Sequence, residues 1–481
     1  MKGRTRFPTA ARAMHSAAPR TALHAPRLGT WAVAALTAAA LTACAPLPRA
    51  VPDNAQVTLP AQWSTAAAAA AHTVPTAASA AAIAPDWWTQ LGDPQLNALV
   101  QQALAGNTDV LTAAARVQEA QANLAATDAA RSPQLQATLG TASGRSLGAF
   151  GPTHTRSAQP GLQASWELDV WGRLSAQSQA AAARVQASEA DRAAVQLSVA
   201  ATTVQTYVGL RALQQQLAIS QATVQSRAAA LQLAQDQARV GYISQLQQTQ
   251  AQAEHAAVQQ QVQQLQWQID KQWATLHLLL GQAGGSAPLP APTDARPQGQ
   301  PALQLPAVPA SLPSQLLERR PDIARAAAQL AASDHTLTAQ RAAFLPQVNL
   351  SATVGSLLVN ALDYNPLTVW SLGGSLLAPL FNGGRREAAL DAATAQRDQA
   401  AYAYRGAVLA AFAEVESALT GTQRLAQQTQ YATQRRNVLQ QSLAFAHDRY
   451  EAGYASYLEE LDAQRNLYAA ELEVVRLHQA E

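Results

Sequence analysis

Leu162-Gln163-Ala164-Ser165-Trp166-Glu167-Leu168-Asp169-Val170 carries an apolar side chain at every second position, with a polar one or a small one between. A strand presents successive side chains to opposite faces, so this stretch has one oily face and one wet face. Leu135, Ala137 and Leu139 alternate in the same way with Gln134, Gln136 and Thr138. Val348, Leu350, Ala352 and Val354 do so with Gln347, Asn349, Ser351 and Thr353, and Trp370, Leu372, Gly374 and Leu376 with Ser371, Gly373 and Ser375. One such strand reads best as part of a half-buried sheet in a soluble domain. Four of them in a chain that opens with a secretion signal favour a membrane barrel with a polar lumen.

A barrel in lipid has to close, because an open edge leaves backbone groups with neither partner nor water. Single-chain bacterial barrels begin at about eight strands, so four strands per chain require further copies. Two chains would supply eight and three would supply twelve, and the spacing does not choose between them. The Gly/Ser/Thr-rich segment from Ser143 to Gln159 and the stretch from Leu357 to Thr368 are expected to be exterior loops.

Working outward, the chain repeats itself at an offset of 212 to 213. Asn107-Thr108-Asp109-Val110 parallels Arg320-Pro321-Asp322-Ile323, Pro133-Gln134 parallels Pro346-Gln347, and Gly172-Arg173 parallels Gly384-Arg385. Gly241-Tyr242-Ile243-Ser244 parallels Gly453-Tyr454-Ala455-Ser456. A constant offset over so many landmarks means two copies of one unit. Each copy reads as a helix (95–131 and 313–343), two strands, a long helix (172–240 and 384–452), a tight turn and a returning helix. Leu210, Leu213, Leu217, Val224 and Leu231 keep a largely seven-residue spacing, and Val258, Val262, Leu265, Ile269, Trp273, Leu276 and Leu280 step by threes and fours. Both patterns favour coiled-coil packing of the antiparallel pair, echoed in the second copy by Val408, Phe412, Val415 and Leu419. The division is then a first repeat at 86–285, a Pro-rich connector at 286–312 and a second repeat at 313–481.

The N-terminus sets the compartment. Lys2, Arg4, Arg6, Arg12, Arg20 and Arg27 precede an apolar run from Leu28 to Leu41, which reads as a signal peptide over 1–43, with Met14 as a second available start. Leu41-Thr42-Ala43-Cys44 resembles the bacterial lipoprotein box, and Cys44 is the chain's single cysteine. That resemblance implies diacylglycerol on the thiol and an acyl chain such as palmitate on the new amino group. Ala45, standing where an aspartate would retain the protein, implies transfer to the outer membrane. The alternative is a buried cysteine beside a cleaved signal. Residues 44–85, Ala/Pro/Thr-rich, read as an extended tether. Without the signal, 27 Lys and Arg face 31 Asp and Glu, a balance that gives no reason to propose nucleic-acid binding. No later stretch reaches about 18 consecutive apolar residues, so no transmembrane helix is expected.

Trp87-Trp88 with Asp93-Pro94, Trp166-Glu167-Leu168-Asp169-Val170-Trp171-Gly172-Arg173, Leu317-Glu318-Arg319-Arg320-Pro321-Asp322-Ile323, Pro379-Leu380-Phe381-Asn382-Gly383-Gly384-Arg385 and the run from Tyr450 to Arg465 together resemble the TolC-like outer-membrane factors. The closest look is to the NodT-type lipoprotein branch, and the likeness spans residue 85 to the C-terminus. It implies a mainly helical fold with a membrane β-barrel. Three copies would form a twelve-stranded barrel continued by a twelve-helix α-barrel across the periplasm. The implied partners are a periplasmic adaptor, an inner-membrane resistance-nodulation-division pump and outer-membrane lipid, with the chain as a passive exit duct for drugs or other small toxic compounds.

Gly241 and Gly453 suit left-handed C′ positions. Ser244 and Ser456 suit N-caps, with Gln247 and Glu459 three residues on completing capping boxes. These turns read simply as well-made hairpins. By the resemblance they are also the tips that meet the adaptor, through Gly241, Tyr242, Ser244, Gly453, Tyr454 and Ser456. The resemblance further places a constriction at Glu459 and Asp462, with Tyr450 as a latch. The matching first-copy positions are the neutral Gln247 and Gln250, so three copies would give a three-fold acidic ring. Carboxylates in a first helical turn also complement the helix dipole, and Glu459 has capping to explain it, which makes Asp462 the stronger candidate.

An enzyme is not expected: the chain has no HExxH, no CxxC pair, no G-x-x-x-x-G-K-[ST] and no G-x-S-x-G, and His255, His277 and His447 stand isolated on helices. No metal or other cofactor beyond the lipid on Cys44 is expected. Two rivals share much of the pattern: a non-pore periplasmic coiled-coil scaffold lipoprotein, disfavoured by the four alternating strands, and the outer-membrane duct of a type I protein-secretion system.

Overall fold

A computed structural model describes residues 52–58, 86–148, 151–283, 303, 319–360 and 366–481. The expected signal peptide, Cys44 and all of the connector 286–312 except Leu303 lie outside the described residues.

The elements run α1 Pro94–Gly106, α2 Thr108–Ala129, β1 Gln134–Gly148, β2 Gly151–Leu168, α3 Arg173–Arg239, α4 Gln245–Leu279, α5 Pro321–Ala342, β3 Gln347–Val359, β4 Leu367–Leu377, α6 Arg385–Glu451 and α7 Tyr457–Ala480. The order helix, two strands, long helix, returning helix occurs twice, as the repeat requires. α3 and α6 have 67 residues each, about 100 Å if straight. No helix among the described residues is long and apolar enough to cross a membrane.

The strands form one antiparallel sheet in the order β1-β2-β3-β4. Its register places Leu135 opposite Ala164, Ala164 opposite Ala352 and Ala352 opposite Leu372; Trp166 lies opposite Leu350, and Leu350 opposite Gly374. Directly opposed residues point to the same side, so the apolar members of all four strands gather on one face. Between β2 and β3 the ladder skips Gln159 and Pro160, the latter having no N–H to give. Here the backbones come so close that a Cβ on Gly355 would stand 2.5 Å from the Pro160 carbonyl oxygen.

The helices form a matching layer. Near the sheet, α3 lies between α2 and α5, and α5 against α6; toward the turns, α3 lies between α4 and α7, and α7 against α6. The layer order α2/α4, α3, α5/α7, α6 thus repeats the strand order, because β1 follows α2, β2 leads into α3, β3 follows α5 and β4 leads into α6. Arg325 to Asp191 at 2.8 Å ties α5 to α3 near the sheet, and Ser220 to Tyr468 at 2.8 Å ties α3 to α7 lower down. α3 contributes to the largest apolar cluster, where Val199, Val204, Tyr207 and Leu276 pack with Trp88, Leu96 and Val100.

Several expectations need correction. The helix expected over 95–131 is two helices broken at Asn107. The Asn107 side chain accepts from the amides of Asp109 and Val110 and donates to the Leu279 carbonyl at 3.0 Å, seating the end of α4 against the break. The segment 143–159 is mostly strand: β1 and β2 stay paired out to Gly148 opposite Gly151, and only 149–150 lie outside the described residues. Polar Thr and Ser are compatible with a ladder once the strands have left the oily zone, so composition there misled. Likewise Leu357 to Val359, Leu367 and Thr368 are in strands, and 361–365 lie outside the described residues. The second capping box does not form, since the Ser456 side chain makes no cap hydrogen bond. The second-copy helix expected over 313–343 is seen as Pro321–Ala342, and 313–318 lie outside the described residues. Part of the expected tether is seated: Asp53–Ala55 forms a short 3-10 turn on α6, where Tyr402 Oη donates to Asn54 Oδ1 at 2.9 Å and Val57 packs on Ile323 and Val408.

Candidate functional site

The apolar face of the sheet is bare. Leu135, Leu139, Leu162, Val354, Trp370, Leu372 and Leu376 are all exposed, Leu372 at 77%. So many large apolar side chains on one continuous face mark an interaction surface. The opposite face carries Gln163, Ser165, Asn349, Ser351, Thr353 and Ser371, with Thr353 and Ser371 hydroxyls 2.7 Å apart. Among the described residues both ends of the sheet are open: β1 and β4 each pair on one side only. The helix layer is open at the same two sides, at α2/α4 and at α6.

The stretch from Trp166 to Ser175 builds the corner between sheet and helix. Arg173 grips both carboxylate oxygens of Glu167 at 2.7 Å. Gly172 takes φ +73°, and Asp169 turns back to accept from the amides of Leu174 at 2.9 Å and Ser175 at 2.7 Å, capping α3. Burial pushes the Asp169 carboxyl up, but those two amides outweigh it and leave its pKa below the ordinary value. Trp166 and Trp171 donate their indole N–H groups to the carbonyls of Arg131 and Pro346 while their rings stay exposed. Amphipathic rings of this kind suit the boundary of an oily zone.

At the far end stand the two turns. Gly241 and Gly453 have φ +79° and +76°. Tyr242 N donates to Gln237 O and Gly241 N to Ala238 O; Tyr454 N donates to Arg449 O and Gly453 N to Tyr450 O. Both are Schellman turns, which force the following residue outward. Tyr242 and Tyr454 are accordingly 77% and 82% exposed. Ser244 and Gln247 complete the first capping box.

The expected gate residues do not form one cluster. Tyr450 is half-buried against Tyr457, ring centroids 5.8 Å apart, and its hydroxyl donates to Gln237 of the other hairpin at 3.4 Å. Glu459 is exposed and pairs with Arg449 at 3.5 Å. Asp462 is exposed on α7, one turn from Asn466, which donates to it at 3.1 Å. Tyr450 is thus a tie between the hairpins, and the two acids face solvent.

Sequence reasoning missed a polar clasp just behind these residues. Arg227 of α3, 2% exposed, donates to Gln464 of α7, whose amide donates to Glu460 Oε1 at 3.0 Å. His447 Nδ1 of α6 lies 3.0 Å from the same oxygen, and Glu254 of α4 holds Arg465 of α7. Burial lowers the Arg227 pKa, opposed chiefly by the charge of Glu254. Glu460 raises the His447 pKa, against a smaller effect of burial, with Glu451 and Asp448 adding to it. All four tip-ward helices meet in this one group. The signal was available: Ser220 and Arg227 occupy the seam between Leu217, Val224 and Leu231, where an apolar side chain is expected. Among the described residues no three potential ligands stand close enough to hold a metal.

A family model described as outer membrane efflux protein matches residues 99–282 and 312–480, one match per repeat. The pyoverdine export outer membrane protein OpmQ of Pseudomonas aeruginosa is 34% identical over 450 residues, covering 92% of this chain and 91% of its own. The probable outer membrane lipoprotein SilC of Salmonella typhimurium is 30% identical, covering 81% and 84%. The structure of the outer-membrane channel OprN superposes with a TM-score of 0.79 at 27% identity, over 90% of this chain and 96% of that one.

Proposed function

The chain belongs to the outer membrane efflux protein family, and on that premise we propose that three copies close into one duct through the outer membrane and periplasm. It is an outer-membrane efflux channel of the TolC type; the finer assembly is our reading. The observation that carries it is the match between an open four-stranded sheet and an open four-helix layer in the same order. β1 and β4 run antiparallel, so the β1 edge of one copy can accept the β4 edge of the next. Three copies give twelve strands and a comparable ring of helices. The apolar face then meets lipid, and the face of Gln, Ser, Thr and Asn lines the lumen.

In this reading the duct is passive and not an enzyme. A generic polar wall selects little, and cargo is set by an inner-membrane pump of the resistance-nodulation-division kind through a periplasmic adaptor docked at Tyr242 and Tyr454. OpmQ, by its name, exports pyoverdine; small-molecule cargo of that broad kind is what we propose here. Cys44 carries the lipid, in keeping with the lipoprotein SilC.

The test exploits the two faces. Leu372→Arg puts a charge near the middle of the oily band, costing roughly 2–4 kcal/mol per copy, and is expected to remove the protein from the outer membrane and abolish efflux. Ser371→Arg, one residue away and lumen-facing, is expected to be tolerated. Equal behaviour of the two variants would contradict a lipid-facing sheet.

A further inference from the structure

We infer that the β1–β2 hairpin carries a binding surface for the phosphates of outer-leaflet glycolipid, formed by Arg145, Arg156 and His154. This rests on the channel reading above.

The oily band can be measured along β2. Its outward positions are Leu168, Trp166, Ala164, Leu162, Pro160 and Ala158, ten residue steps from end to end. At about 3.3 Å per residue and a tilt near 40°, that spans about 25 Å of height, the thickness of the apolar belt of such barrels. The next outward position is Arg156, opposite Ser143, and the one after is His154, opposite Arg145. Parity puts these three on the same face as Leu135 and Trp166, at the first two levels above the band. That end of the sheet lies opposite the helices, so it faces the cell exterior.

Charge is distributed to match. Arg145 and Arg156 are the only Arg or Lys in the four strands, and both stand at this end and on this face. The only acid in the four strands is Glu167, on the opposite face and already gripped by Arg173. All three basic side chains are exposed. The backbone beneath them is fixed: Arg156 N donates to Asn360 Oδ1 at 2.8 Å, Asn360 Nδ2 to His154 O at 3.1 Å, and Asn360 N to Arg156 O at 3.1 Å. Two exposed guanidinium groups on a braced ribbon, level with the headgroups and with no acid on their face of the four described strands, fit anionic phosphate esters. The same placement would suit the bis-phosphorylated anchor of lipopolysaccharide, whose phosphates sit directly above its acyl chains.

The full-length oligomer, purified in mild detergent, is stripped of lipid and titrated with bis-phosphorylated lipid A and with the same lipid after dephosphorylation. Wild type is expected to prefer the phosphorylated form. Arg145→Gln with Arg156→Gln is expected to lose that preference by roughly fivefold per arginine, about tenfold to thirtyfold for the pair. Arg145→Lys with Arg156→Lys, which keeps the charge, is expected to retain most of it and serves if the Gln pair assembles poorly. Equal binding of the two lipids by wild type, or undiminished preference in the Gln pair, overturns the inference. A wild-type protein that fails to insert into bilayers at all would instead refute the channel reading.

Discussion

Single residues decide the tip-ward end of the molecule, and they were unevenly legible. Gly241, Gly453 and Ser244 could be assigned from sequence because their roles are local: a left-handed C′ position or an N-cap depends on a few neighbours in the chain. For Arg227, His447 and Glu460 the most the sequence offers is the odd placement of Arg227 in an apolar seam, because their partners lie on other helices, 237 residues away in the case of Arg227 and Gln464. At Ser456 the Glu459 amide donates to the serine carbonyl at 3.0 Å and the side chain makes no cap hydrogen bond, while the Glu459 carboxylate pairs with Arg449. The clasp has a pH sign. Because the folded state raises the His447 pKa, the protonated imidazole contributes stability that is fully present below its ordinary value of 6.5 and is lost as pH rises through the folded-state value. His447→Gln should therefore lower the melting temperature most at pH 5.5 and progressively less toward pH 9. A difference independent of pH would show that the imidazole acts only by packing.

Elements were read best where their pattern was long. The bounds expected for the two long helices, 172–240 and 384–452, fall within one residue of Arg173–Arg239 and Arg385–Glu451. Alternation marks a strand only while one face is oily, so the Thr/Ser/Gly ribbon above the band reads as loop. The break at Asn107 carries a local signal that the longer apolar period overrides: Gly106 ends one helix and the Asn107 side chain caps the next. Tertiary packing reinforces it: the end of α4 abuts the α1–α2 junction so closely that a Cβ on Gly281 would clash with the Gly106 carbonyl oxygen. Gly281 also has φ +70°. Gly281→Ala is therefore expected to cost more than about 1 kcal/mol, visible as a lower unfolding midpoint or loss of the assembled oligomer. A midpoint equal to wild type would mean the α4 seat is not rigid.

At the scale of the whole molecule, the need for further copies was readable from strand number alone, and the structure adds that sheet and helix layer are open at the same sides. The number three was not readable, since eight and twelve strands both close a barrel. It bears on the proposed acidic ring, in which Asp462 and Glu459 would recur once per copy. Asp462→Asn with Glu459→Gln should reduce cation over anion selectivity in single-channel recordings, while unchanged selectivity would leave the acids only their local partners, Asn466 and Arg449. The most direct test of the proposed architecture is the mass of the conducting particle, read by native mass spectrometry on the detergent-solubilised protein used for those recordings. Three chains per particle is the expected result; a particle of one chain that still conducts would contradict it.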